Sequence, residues 1–467
     1  MKMLIIKTPP QYQKYRLYVC SVIFGEWFQI SWRHEIENRN DVSITLENTE
    51  GELLFSDIFF SLPTNNWLKP ISLPKIPLKK INITPMKFQK KIGEYLPVLY
   101  GEDEDIYYKY EKKLKIPIDI LGSIFFMLSG YEELICKQRD DHGRFPGVAS
   151  LLYRSGYLDR PLADEYAELM WNALLSIWPR IRRVEKKPTI LLSCDVDEPF
   201  DCSVSCIKSL SRACIGDFIK RFQPLESFKR IRRYINNRKG NFSYDPCYTF
   251  EEYLKICSEY NLKATFYFIP SSLNPNNCCY NLLDVNIQNL MKKLFFSGHE
   301  IAMHGCYENY QNTEKTNSHR VLFDKALIKA GINQTVKSNR QHYLRWDAKL
   351  TPAALENAGF THDSTGGYAD CAGFRYGTSK EFTMWDWSSS IHLKIRQRPL
   401  IVMDVTIIDD IYMGLGYGKE ALSKMIKLKE RCLLFGGQFT ILWHNTSLKK
   451  SEHITLLKAV LDQNYEI

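Results

Sequence analysis

The chain has 467 residues, 45% hydrophobic and 25% charged, a globular balance that excludes a disordered, collagen-like or coiled-coil protein and leaves room for two or three domains. No apolar run approaches the roughly 18 residues of a membrane-spanning helix. The formal charge of +9 is mild for this length and permits an anionic partner without requiring one.

The first ten residues carry no apolar core followed by a small-residue cleavage site, so a cytoplasmic location is expected. The 13 cysteines are odd in number, irregularly spaced and free of any C-x-x-C pair. Reduced thiols are therefore expected, not a disulfide framework or a zinc knuckle.

In chain order, 16–32, 41–47 and 51–60 read as strands from their β-branched and aromatic content. Asn65, Pro70, Pro74 and Pro77 mark a loop, and the acidic run 102–105 reads as a solvated turn. Asp119 is a candidate N-cap for a helix in which Ile120, Ile124, Met127, Leu128, Tyr131 and Leu134 recur at helical spacing. A second helix is predicted over 161–178. The basic run from Arg180 to Lys187, followed by Pro188, sets a domain boundary. Residues 1–186 form a smaller α+β domain with no catalytic constellation of its own, and 187–467 form the second domain.

Beyond that boundary, apolar runs at 189–193, 264–269, 299–303, 400–405 and 439–443 alternate with helical segments at 250–260, 286–296, 320–330, 352–358 and 419–435. This is the pattern of βα units around a mainly parallel sheet or barrel, an α/β class whose sites lie at the C-terminal ends of strands. An insertion at about 199–248 interrupts it. Between Lys208 and Lys239 it carries ten Lys and Arg residues against Asp217 and Glu226. A solvated helical hairpin is the plain reading. The functional one is a basic lid in which Arg230, Arg232 and Arg233 meet an anionic substrate, or a peripheral contact with the anionic inner membrane surface. Nucleic acid is not expected, because stacking aromatics do not interleave with these charges.

The chemistry gathers at strand ends. The run 189–193 leads into Asp195 and Asp197, two carboxylates on the same side of an extended chain. The run 299–303 leads into His304. Glu308 lies four residues further and would share its face if a helical turn followed. The run 439–443 ends in His444, and Arg340 offers a forked donor for a carboxylate. Each has an ordinary explanation alone, as a polar loop, a hydrogen-bonded histidine or a surface arginine. Together they describe a metal with an acid/base pair, the set needed for metal-assisted hydrolysis of an acyl group.

The order of these motifs resembles the polysaccharide deacetylase family, the NodB-homology domain of carbohydrate esterases. The matching segments are Cys194-Asp195-Val196-Asp197, the run from Gly298 to His304, Arg340-Gln341-His342-Tyr343, His362-Asp363-Ser364-Thr365 and Ile441-Leu442-Trp443-His444. Residues 264–268 resemble the family's second strand. The stretch 366–377 is similar to a subgroup met in surface-polysaccharide gene clusters, and 119–133 with 142–145 resemble its N-terminal domain.

The resemblance implies a distorted (β/α) barrel preceded by the α+β domain. It implies Asp195 as general base, Arg340 orienting it, His444 as general acid and Asp363 in the catalytic set. Asp197, His304 and Glu308 would hold a divalent ion, with zinc the first expectation. The implied reaction removes an acetyl group from an N-acetylated sugar in surface-polysaccharide or O-antigen biosynthesis; the basic insertion adds a nucleotide-sugar or a lipid-pyrophosphate-linked glycan as the kind of anionic carbohydrate it could meet. The chain departs from the family by placing Glu308 where a second histidine is usual, and by Asp-Val-Asp in place of adjacent aspartates. The alternative reading is a catalytically inactive protein that binds a glycan or its precursor on the same scaffold.

Overall fold

The computed structural model describes residues 2–462 apart from Pro85, 87–89, 104–105 and Glu111. Part of the acidic run at 102–105 thus lies outside the described residues.

The N-terminal sheet has six strands in the spatial order Trp32–Ile36, Leu4–Thr8, Asp41–Leu46, Glu52–Ser56, Lys113–Ile116 and Tyr107–Tyr110. The helix Leu162–Ile177 packs on its central strands and on the helix Ile120–Leu128. Of residues 16–32, expected as strand, 16–27 are helical instead, Gln13–Cys20 running on as a π-helix, Ser21–Trp27, and only Trp32 begins a strand. Tyr18, Val19, Val22, Ile23, Phe24 and Trp27 are all buried there, so tertiary burial overrides the β preference of the individual residues. Arg16 and Asp57, both buried, anchor this helix through two parallel hydrogen bonds of 2.7 Å.

Asp119 does cap its helix. Its carboxylate accepts from the Gly122 N–H at 2.7 Å and also from Ile58 and Phe59, tying a loop to the helix start. The segment then splits into Ile120–Leu128 and Tyr131–Ile135, because Gly130 at φ 64° turns the chain.

The C-terminal sheet has nine strands. Their order is Phe382–Asp386, Ile391–Gln397, His362–Asp363, Ser338–Gln341, Glu300–Gly305, Thr265–Phe268, Thr189–Val196, Gln438–Leu442 and Val402–Met403. All neighbours are parallel except the first pair. The two edge strands do not pair with each other, so the sheet is an open, distorted barrel. The apolar runs fall on five of these strands, though 400–405 gives only Val402–Met403 before the helix Asp404–Ile408. Strands 338–341 and 362–363 escape an apolar-run reading because their residues are polar, although all but His362 are buried.

The domains are interlocked. Arg375 forks onto Glu133 at 2.7 and 2.9 Å, Thr378 and Ser379 donate to Asp164, and Phe382 and Trp385 enter the N-terminal core. The expected boundary at 186 falls in the connector between Leu162–Ile177 and Thr189–Val196.

The insertion is a hairpin of two helices, Ile207–Ile219 and Pro224–Arg238. Arg230 and Arg233, expected to face a substrate, turn inward instead. Arg230 pairs with Asp217, and Arg233 with Asp201 at the hairpin base. The expectation of reduced thiols throughout is corrected at one pair, Cys202–Cys279, which is disulfide-bonded. The two cysteines are 77 residues apart and are brought together only by adjacent strand ends.

Candidate active site

Parallel strands place their C-terminal ends together, and the residues that end them converge on one cleft of about 660 Å³. Asp195 and Asp197 come from Thr189–Val196 and the residue after it, His304 from Glu300–Gly305, and His444 follows Gln438–Leu442. All four line the cleft.

Asp197, His304 and His342 bring one ligand atom each to within 4.8 Å of one another. His304 Nε2 lies 3.4 Å and His342 Nε2 3.5 Å from the same Asp197 oxygen. That oxygen is buried and has no hydrogen-bond partner. A buried carboxylate oxygen facing two imidazoles, unsatisfied by protein, is a donor set that fits a divalent cation. His304 Nδ1 donates to the Arg340 carbonyl at 2.7 Å, which leaves Nε2 as the lone-pair nitrogen aimed at the group. Burial, with His304 and His444 nearby, presses the pKa of His342 down to about 4, against the pull of Asp197. It is therefore neutral and ligand-ready at neutral pH. Burial opposes the charged form of Asp197, but His342, His304 and His444 hold its pKa well below the usual carboxylate range.

Glu308, expected as the third ligand, is corrected by this geometry. No helical turn follows His304; the next helix starts at Thr313. The Glu308 carboxylate accepts from Asn274 at 3.2 Å and is not in the cluster. The third member of the cluster is His342. Its signal lay in the sequence: it is two residues after Arg340, the same-side spacing of an extended chain.

Arg340 is wholly buried, and each of its three guanidinium nitrogens donates. Nη1 donates to Asp195 at 2.8 Å and to Ser193, while Nε and Nη2 donate to Ser364. One Asp195 oxygen is thus fixed by the guanidinium, and the other faces His304 Nε2 at 3.5 Å. Asp363 does not line the cleft. Its carboxylate accepts from Thr365, Asn339 and Gln397, which orders the segment carrying Ser364 behind Arg340. It positions the site without facing it.

On the opposite wall, His444 Nδ1 donates to Asp404 at 2.7 Å, and its Nε2 lies 3.7 Å from Asp197. Burial opposes protonation, but Asp404, then Asp197 and Asp195, push the His444 pKa up to about 10. Asp404 also accepts from the His444 N–H and from Ser447. The strand-end logic that found Asp197 would have found Asp404, the first residue after Val402–Met403.

The N-terminal domain also reaches the cleft, which its sequence did not signal. Arg144 lines it, held by Asp140 at 2.6 Å, and donates to the Tyr343 carbonyl at 2.9 Å. Tyr343 and Leu344 have φ of 60° and 55°, a left-handed pair directly after His342. Such strain persists only where its surroundings enforce it. Arg345 completes the clamp by donating to the His142 carbonyl at 2.7 Å from between the rings of Tyr307 and Tyr310.

Residues 240–361 match the family model described as polysaccharide deacetylase, and residues 4–179 match a family of unknown function, DUF7033. No curated protein matches the chain. Among solved structures, a Mycobacterium smegmatis protein described as a polysaccharide deacetylase is similar at 14% identity and a TM-score of 0.38, over 60% of this chain and 84% of that one. The Puue allantoinase is similar at 11% identity and a TM-score of 0.34, over 67% of this chain and 89% of that one.

Proposed function

We propose, from the match of residues 240–361 to the polysaccharide deacetylase family model, that this protein is a metal-dependent hydrolase that removes the acetyl group from an N-acetylated sugar. The observation that carries the reading is the pair of opposed walls. Asp195 is clamped by Arg340 on one side and His444 is backed by Asp404 on the other, with Asp197, His304 and His342 between them.

Asp197, His304 and His342 would hold the cation, and two imidazoles with one carboxylate are a donor set suited to zinc. Such an ion, when bound, polarises the acyl carbonyl and makes water more acidic. Asp195, held in place by the guanidinium through one oxygen, accepts the proton of the attacking water through the oxygen that Arg340 leaves open. His444 donates its Nε2 proton to the departing amine, and Asp404 holds the ring in the required orientation. Arg144 and Lys449, both lining the cleft, supply positive charge for a phosphate or acidic sugar attached to the glycan.

A setting in surface-polysaccharide or O-antigen assembly, supported by the motif subgroup, and a cytoplasmic location belong to the proposal. So does the division of the chain at 186. The alternative is an inactive binding protein, which rested on Glu308 standing where a histidine ligand is usual; the proximity of His342 to Asp197 and His304 supports the hydrolase reading over it. The test is acetate release from N-acetylated oligosaccharides and their nucleotide conjugates by zinc-loaded protein, with chelated protein as control. Release that needs the metal supports the reading. Protein that binds zinc at this site yet releases acetate from none of them would leave the binding-protein alternative.

A further inference from the structure

The hairpin 207–238 is built inside out. Its inner face is polar: Asp217 and Ser227 are buried, and Arg221 and Arg230 both pair with Asp217. Its outer face is apolar: Ile215, Phe218, Ile219, Phe222, Leu225 and Phe228 are all exposed, Phe222 at 82% and Leu225 at 74%. At 100° per residue the outward apolar positions of each helix fall within an arc of about 120°, two stripes that meet at the turn carrying Phe222. Among the described residues, the apolar core clusters take none from 205–245. A continuous apolar ridge of this kind marks a contact surface.

Charge selects the partner. Lys208, Arg212, Lys220, Lys229 and Arg232 are exposed along the same two helices. Apolar side chains flanked by long cationic ones match a bilayer interface, where rings enter the acyl boundary and ammonium and guanidinium groups rise to phosphates. The helices have 13 and 15 residues, about 20 Å each at 1.5 Å per residue, too short to cross a bilayer. Placement adds a second line. The hairpin leaves the end of the Asp195 strand, and its base is fixed by Cys202–Cys279, both of which line the cleft. Leu273, 92% exposed, and Ile411, 76% exposed, follow two other strands at the same end of the barrel.

We propose that this hairpin is a membrane-surface anchor that docks on an anionic bilayer and holds the mouth of the cleft at the lipid headgroups. The claim stands on the hairpin's own surface, so its failure would leave the hydrolase reading untouched. The experiment is flotation of the full-length protein with vesicles of phosphatidylethanolamine and phosphatidylglycerol, against vesicles of phosphatidylcholine alone. Two variants are compared: Phe218→Ser/Phe222→Ser/Phe228→Ser and Lys220→Glu/Lys229→Glu/Arg232→Glu. The native protein should float with the anionic vesicles, less so as salt rises, and each variant should partition at least about tenfold less. Zinc content and the circular dichroism spectrum should stay as in the native protein. The proposal is overturned if the native protein stays in solution, or if both variants float as it does. It is also overturned if light scattering shows a dimer that the phenylalanine variant dissolves while no vesicle is bound.

Discussion

Around the cleft, charge sits within an apolar shell: Arg340 is wholly buried, each of its guanidinium nitrogens donates a hydrogen bond, and Phe266 and Trp443 are fully buried side chains of the same sheet. In the hairpin the order is reversed, with Asp217 enclosed and Phe218, Phe222 and Phe228 outside. Both regions satisfy one rule, that a side chain is stable where its surroundings match it. The barrel is folded for water outside, and the hairpin for something less polar. The difference teaches that an amphipathic stripe specifies a boundary and not which side of it is wet.

The sharpest break of the comparison is in stability. Phe266→Ala should lower the unfolding free energy by about 3–5 kcal/mol in urea titrations, since it empties a closed core position. In the catalytic set, Asp404→Asn should lower kcat roughly tenfold to a hundredfold, with KM and zinc content unchanged, because it frees a general acid from its orienting partner. Asp217→Ala, the polar interior of the hairpin, should cost about 1.5 kcal/mol. It should be read as faster hydrogen exchange over 207–238, with the barrel's strands unaffected. Arg144→Ala should weaken zinc binding by about tenfold through release of the strained turn after His342. The smallest effect is Phe222→Ala, expected to stay within about 0.5 kcal/mol in the absence of lipid. A loss as large as that at Phe266 would mean the hairpin ridge is packed against protein.

Strand ends were the legible part of this chain. Runs such as 189–193 and 439–443 are apolar because a parallel strand is covered on both faces, and a polar residue closing such a run stands out. Asp195, Asp197, His304 and His444 were found in that way, and they meet in one cleft. Strand 338–341 was hidden because its residues are polar and are satisfied by neighbours supplied only by the fold. The spacing of two from Arg340 is the one mark the sequence carries for His342, which directly follows that strand. Residues 16–32 misled because β-branched residues also fill a helix buried on most of its sides. Cys202–Cys279 joins positions that sequence spacing cannot relate. In the insertion the charges are plain in the sequence, but the apolar stripe between them makes the surface, and its outward direction is a tertiary fact.

The central claim is that Asp197, His304 and His342 form one metal site with Glu308 outside it. Equilibrium zinc titration of His342→Ala and Glu308→Ala, side by side with the native protein, addresses it most directly. His342→Ala should lose affinity by at least about tenfold while Glu308→Ala binds as the native protein does. Native affinity in His342→Ala together with a loss in Glu308→Ala would contradict the account.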